Sequence, residues 1–199
     1  MVGIIDYGVG NLFSLRSSFA AIGAEAFVSG DPAELRKADR LILPGVGAFG
    51  DAAQKLRDSG LDVFVKEQAA SGKPLMGICL GMQLLFEKSY EYGEHEGLGL
   101  LKGQVVGMSG RLPADLKIPH MGWNALELTK PAKLLENGSY VYFVHSFYAE
   151  NCADSIAAIT DYGIPITAAV EKDNIFGCQF HPEKSGNVGL AILKKFCEV

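Results

Sequence analysis

The chain has 199 residues, 48% hydrophobic and 21% charged, which suits one soluble domain with a sizeable core. Its formal net charge is −5 and no block of basic residues stands out, which argues against nucleic acid as a partner. Gly, Pro or charge breaks every apolar run well short of a membrane span, and the four cysteines (79, 152, 178 and 197) lack the spacing of a disulfide framework or a structural zinc site.

In chain order, residues 2–6 predict a first strand. The opening MVGIIDYGVGNL has no basic n-region and no small-residue cleavage site, so it is not read as a signal peptide. Residues 11–22 predict a helix with Asn11 as N-cap, and residues 26–29 a second strand. Asp31-Pro32 opens a short helix over residues 31–38, because proline suits the first helical position. A strand over 40–43, one or two helices over 49–71, a strand over 74–78 and a helix over 80–88 follow. This alternation predicts a parallel sheet covered by helices on both faces.

The second half changes character. Residues 101–108, 123–128, 140–148, 156–161, 166–171 and 176–180 all predict strands, with Asp173-Asn174 as a hairpin turn. A closing helix spans about 187–197. The fold class is therefore α/β: a mixed, mostly parallel open sheet with an antiparallel extension. No repeat or linker divides it. The glycine- and charge-rich stretch 92–99 is the best candidate for a mobile loop.

Three stretches carry chemistry. Gly77-Ile78-Cys79-Leu80-Gly81 has the spacing G-x-C-x-G, the cysteine counterpart of the nucleophile elbow, in which a sharp strand-to-helix turn exposes a side chain at the end of a sheet. Alone, Cys79 reads equally well as a small buried core residue. His181-Pro182-Glu183 follows a predicted buried strand, where open α/β sheets place their sites. There the carboxylate can hold the ring in one tautomer, and the resulting imidazolium favours a neighbouring thiolate. In isolation, a loop histidine beside a solvated glutamate is the simpler reading, and the elbow in the same chain weakens it.

The third stretch, Gly45-Val46-Gly47-Ala48-Phe49-Gly50, matches G-x-G-x-x-G. A dinucleotide site is disfavoured, because the match lies outside the first βαβ unit, follows Pro44, and lacks the acidic residue at the expected distance. A better role is to aim backbone N–H groups at a developing oxyanion, together with the N–H of Leu80 at a helix start. His145-Ser146-Phe147 closes a buried strand at a polar end. His120-Met121-Gly122-Trp123-Asn124 carries the sole tryptophan, either a core plug or an interface anchor. Cys79, His145 and His181 are metal-ligand types, but no spacing supports a metal site.

Together PGVG, GICLGMQ, HSF and QFHPEKSG resemble, in order and over essentially the whole chain, the class I glutamine amidotransferases, a flavodoxin-like family with a Cys-His-Glu triad. DYGVGNL, PGVGAF, PHMGWN, YFVHSFY and FHPEKSG are similar to the branch that supplies ammonia to a separate cyclase in histidine biosynthesis. The resemblance implies that Cys79 attacks the γ-carboxamide of L-glutamine, that His181 protonates the departing ammonia, and that Glu183 orients His181. It implies oxyanion contacts from Val46, Gly47 and Leu80, and a glutamine pocket from Gly45, Gln83, His145, Ser146 and Phe147. It implies no cofactor and a heterodimer with a (βα)8-barrel cyclase that makes imidazole glycerol phosphate and an aminoimidazole carboxamide ribotide, while the cysteine usage makes a reducing cytoplasm the simplest compartment. Cys178 departs from the family's aliphatic residue before Gln-Phe-His and reads as a packing variant.

The motifs span the chain and leave no stretch for an acceptor domain, which as a (βα)8 barrel needs about 250 residues. A separate subunit is therefore expected, with Asn11, His120, Met121 and Trp123 on its face. Three alternatives stay open: a sister glutaminase serving another acceptor such as pyridoxal phosphate synthase, a cysteine hydrolase of peptides or small electrophiles, and a non-catalytic subunit that kept the fold.

Overall fold

A computed structural model describes residues 1–199. The first half runs β1 (Val2–Ile5), α1 (Leu12–Ala21), β2 (Ala26–Ser29), α2 (Pro32–Leu35), β3 (Arg40–Leu43), α3 (Phe49–Asp58), α4 (Leu61–Ala70), β4 (Leu75–Ile78) and α5 (Leu80–Leu84). Next come β5 (Phe86–Ser89), β6 (His95–Glu96), β7 (Leu101–Gly107), β8 (His120–Ala125), β9 (Glu127–Leu128), β10 (Tyr140–His145), β11 (Phe147–Glu150), β12 (Ile156–Asp161), β13 (Pro165–Lys172) and β14 (Ile175–Cys178). A 3-10 turn (Pro182–Lys184) and α6 (Gly186–Phe196) close the chain. No helix is long and apolar enough to cross a membrane.

The main sheet has eight strands in the order β2-β1-β3-β4-β14-β13-β12-β9. β2, β1, β3, β4 and β14 are parallel, and β13, β12 and β9 extend the sheet antiparallel. The class read from the sequence is thus borne out. Side chains alternate as a sheet buried on both faces requires. Ile5, Leu41, Leu43 and Leu75 join α2, α3 and α4 in one core. Ile4, Ile42 and Met76 join α1 and α6 in the other, around Phe19, Leu193 and Phe196.

Several elements differ from the sequence reading. The helix predicted over 80–88 ends at Leu84, and Phe86–Ser89 is strand β5, because Phe86 pairs in parallel with Leu101 of β7. Pairing outside the local segment overrides helix propensity there. The strand predicted over 140–148 is two strands. It breaks at Ser146, so that β10 pairs with β8 while β11 joins the sheet β11-β7-β5-β6. The predicted strand 123–128 is likewise split into β8 and β9, which belong to different sheets. The loop expected over 92–99 carries β6, with Glu96 paired to Lys88. The stretch 49–71 is two helices, interrupted at Gly60 in the left-handed region (φ 70°).

The site follows from three neighbouring parallel strands. β3, β4 and β14 lie side by side with Leu43 against Gly77 and Ile78 against Cys178. Their carboxyl ends therefore deliver the glycine loop after Leu43, Cys79, and the segment 179–183 to one edge. Adjacent strands are about 4.8 Å apart, so side chains from these ends can touch.

Candidate active site

Cys79 sits between β4 and α5 with φ 55° and ψ −110°. Non-glycine residues rarely adopt that conformation, at a cost of about 1–3 kcal/mol, and it marks a nucleophile elbow. The flanking glycines are required by close approach. A Cβ on Gly77 would lie 2.5 Å from the Gly81 oxygen, and one on Gly81 would lie 1.8 Å from the Leu43 oxygen. G-x-C-x-G is thus the pattern that lets α5 pack onto the ends of β3 and β4 while turning the thiol outward. The Cys79 N–H continues the ladder by donating to Cys178 O (2.7 Å).

His181 reaches the same place from β14. Its N–H donates to Tyr142 O (3.0 Å), and Ser185 Oγ donates to its carbonyl (2.7 Å). Pro182 starts the 3-10 turn that brings Glu183 back onto the ring. His181 Nδ1 donates to Glu183 Oε1 at 2.8 Å, with both side chains almost fully buried. Nδ1 is thereby committed, which leaves Nε2 as the ring's free nitrogen. Glu183 Oε2 is buried without a protein partner, so the carboxylate's charge is directed at the imidazole.

Burial opposes the charged form of His181, but the Cys79 sulfur and the Glu183 carboxylate more than offset it and push the imidazole up to about 9. The folded value lies above the ordinary histidine value of about 6.5, so protonation favours the folded state. That contribution is complete below about pH 6.5 and is lost as pH rises through about 9. Urea unfolding between these limits should show stability falling with pH by a few kcal/mol at most, with a flatter slope in Glu183→Gln, where the neutral amide leaves the imidazolium without its carboxylate. Equal slopes in the two proteins would contradict the ion pair.

A cleft of about 390 Å³ opens over Cys79 and His181. Val46, Gly47, Leu80, Gln83, His145, Ser146 and Phe147 line it, which brings together most of the residues named from the sequence. Gly45 is not among them. It lies behind the loop, where a Cβ would meet Gly81 N at 2.8 Å, so its part is packing against the elbow rather than ligand contact. Gly47 takes φ 93°, a conformation that frees the loop to turn its backbone toward the cleft. Tyr7, from the DYGVGNL stretch, donates its hydroxyl to Pro44 O (2.7 Å) and pins the start of that loop.

His145 is held to about 3 by burial, so it is neutral at physiological pH. Its Nδ1 donates to Phe147 O (2.8 Å) across the break at Ser146, and its Nε2 lies 3.0 Å from His120 Nδ1. His120 is fully buried, stacked between Phe143 and Tyr162. The expectation that it faces a partner therefore fails: alternation along β8 turns it inward and turns Met121 and Trp123 outward. Those two are 60% and 52% exposed, so Trp123 is no core plug. Asn11 caps α1, accepting from Ser14 N (3.4 Å), and lies outside the cleft. No cluster of metal-ligating side chains is present.

Two residues at the site escaped the sequence reading, Glu91 in the cleft wall and Gln179 buried behind it. Glu91 accepts the Phe49 N–H at 2.7 Å, supplying the cap that Ala48 cannot, and burial raises its carboxyl above the ordinary range. Its stretch, Tyr-Glu-Tyr, carries no signal of that role. Gln179 is fully buried beside Cys79. The signal there was a polar residue inside the apolar run FGCQF.

Residues 3–199 match the glutamine amidotransferase class-I family. The chain belongs to the class I glutamine amidotransferases. Among similar proteins is the imidazole glycerol phosphate synthase subunit HisH of Wolinella succinogenes, 52% identical over 204 residues that cover both chains completely. The subunit of the same name from Caldanaerobacter subterraneus is 52% identical over 203 residues, covering all of this chain and 98% of the other. A solved structure described as a glutamine amidotransferase superposes with a TM-score of 0.77 at 20% identity, over 99% of this chain and 97% of that one. The elbow cysteine, the carboxylate-held histidine and the glycine loop thus gather around one cavity.

Proposed function

We propose that this chain, as a single glutaminase domain over residues 1–199, hydrolyses L-glutamine for an imidazole glycerol phosphate synthase. The observation that carries this reading is that Cys79 and His181 line one cleft, with the His181 Nδ1 held by Glu183. The Cys79 thiolate adds to the γ-carboxamide carbon, and backbone N–H groups of Leu80 and the Val46–Gly47 segment receive the oxyanion. The His181 imidazolium gives its proton to the leaving nitrogen as the C–N bond breaks, releasing ammonia and leaving a γ-glutamyl thioester. His181, now neutral, takes a proton from water as it attacks the thioester. The C–S bond breaks, glutamate leaves, and thiolate and imidazolium are restored. The Glu91 carboxylate at the cleft wall suits the α-ammonium of an amino-acid substrate.

Ammonia passes to a separate cyclase subunit, a (βα)8 barrel, which makes imidazole glycerol phosphate and an aminoimidazole carboxamide ribotide. The relatives named as synthase subunits support this acceptor over pyridoxal phosphate synthase. Met121 and Trp123 support the docking face: they project from β8, whose partner β10 carries the cleft residues Val144 and His145. Four free thiols suit a reducing cytoplasm.

Glutamine turnover at increasing cyclase concentration tests this reading. The wild-type chain should saturate, and Trp123→Ala should need about tenfold or more cyclase for the same turnover, with its unfolding midpoint unchanged. No stimulation of the wild-type chain at any cyclase concentration would overturn the reading. A Trp123→Ala chain that loses stability but keeps its cyclase requirement would move the docking face elsewhere.

A further inference from the structure

Beside the thiol lies a buried side-chain relay to which the mechanism above assigns no role. Phe147 O is a backbone carbonyl and can only accept. Gln83 Nε2 lies 3.0 Å from it, which fixes the Gln83 amide with its NH2 toward Phe147. The other proton of that NH2 goes to Gln179 Oε1, also at 3.0 Å. Gln179 must therefore point its oxygen at Gln83 and its own NH2 the opposite way, where Nε2 donates to Cys79 Sγ at 3.8 Å. One main-chain carbonyl thus sets the orientation of both amides in turn. Gln179 is fully buried and its backbone N–H is tied to Ala168 O (2.9 Å), so the relay cannot swing into solvent.

Two consequences follow for the reaction. With both protons of its NH2 engaged, Gln83 presents only Oε1 to the cleft it lines, as an acceptor for a ligand N–H. At the other end, the sulfur receives an N–H from a neutral amide. A hydrogen bond to an ionised acceptor is about twice as strong as one to a neutral acceptor, so this contact strengthens wherever negative charge sits on the sulfur during the reaction.

We propose that Gln179 is a positioning residue of the glutaminase, one that orients the Gln83 amide for substrate and donates a hydrogen bond to the Cys79 thiolate. The inference rests on the glutaminase reading for its substrate and on the relay geometry for its residue.

Two variants separate the two ends. Gln179→Leu removes both contacts. In the complex with the cyclase, KM for glutamine should rise about tenfold, and iodoacetamide should alkylate Cys79 of the full chain about tenfold more slowly at pH 7. Gln179→Glu keeps an acceptor for Gln83 but puts an oxygen where the N–H stood. KM should then stay within about twofold of wild type while alkylation slows as in Gln179→Leu. A residue that served only packing would leave alkylation unchanged or faster, because loosening exposes the thiol. Wild-type alkylation rates in both variants would overturn the thiolate contact, and an equal rise of KM in both would overturn the orientation of Gln83. Should Gln179→Leu fail to fold, Gln179→Glu carries both readouts. Absence of turnover by the unsubstituted complex would remove the glutaminase reading, whereas alkylation reports on Gln179 without any glutamine.

Discussion

Cys79→Ala should abolish glutamine hydrolysis in the complex, a loss of about 10⁴-fold or more, and leave ammonia-dependent synthesis by the cyclase intact. The size follows from the chemistry. Alanine has no atom that can form the acyl bond, and the remaining oxyanion donors and His181 have no covalent intermediate to serve. The sparing of the ammonia reaction follows from the proposed separation, in which the acceptor site belongs to the other subunit. Alanine also relaxes nothing essential: it keeps the Cβ that already occupies the elbow at φ 55°. The check is paired assays with glutamine and with ammonium salt on the same preparation. Loss of both activities would contradict a two-site scheme.

Gly81→Ala should destroy activity by a different route, by displacing the elbow. The added methyl would sit 1.8 Å from the Leu43 carbonyl oxygen and 3.1 Å from the Pro44 carbonyl carbon, both of them backbone atoms that cannot swing aside. Either α5 lifts off β3 or the glycine loop moves, and in both cases Cys79 and the Val46–Gly47 segment part company. The expected cost is about 3–5 kcal/mol of folding stability, with turnover at least about 100-fold down in whatever folds, since a misplacement of about 1 Å has that effect on an oriented site. Urea unfolding and a glutamine assay check the two parts. A stable, active Gly81→Ala protein would show that the close approach of α5 is not what the second glycine of G-x-C-x-G serves.

The strands that build the site were legible because they are buried on both faces and read as unbroken apolar runs: Leu41–Leu43, Leu75–Ile78 and Ile175–Cys178. The residues at their ends stood out because polar and glycine residues interrupt those runs. What could not be read was pairing. In Tyr140 to Tyr148 the polar pair His145-Ser146 is a weak mark of the break, because Phe147 and Tyr148 resume a strand-like run after it; the two different partners, β8 and β7, divide the segment. Likewise Phe86–Ser89 continues a helical pattern and becomes a strand through Leu101. His120 was misassigned for the same reason. Its stretch contains polar and aromatic residues alike, and only the pairing of β8 with β10, which sets His120 opposite His145, decides which of them turn inward. Gln179 and Glu91 act through contacts with Gln83 and Phe49, distant in sequence, so their roles exist only in three dimensions.

In the proposed scheme Cys79 and His181 hydrolyse glutamine on behalf of a second subunit. Glutamate release from L-glutamine by the purified chain tests it most directly, measured alone, with the cyclase, and with the cyclase holding its ribonucleotide substrate, against Cys79→Ala as blank. Release should be greatest with the liganded cyclase and absent from the blank. Release by the Cys79→Ala protein, or none from the wild-type chain under all three conditions, would contradict that scheme.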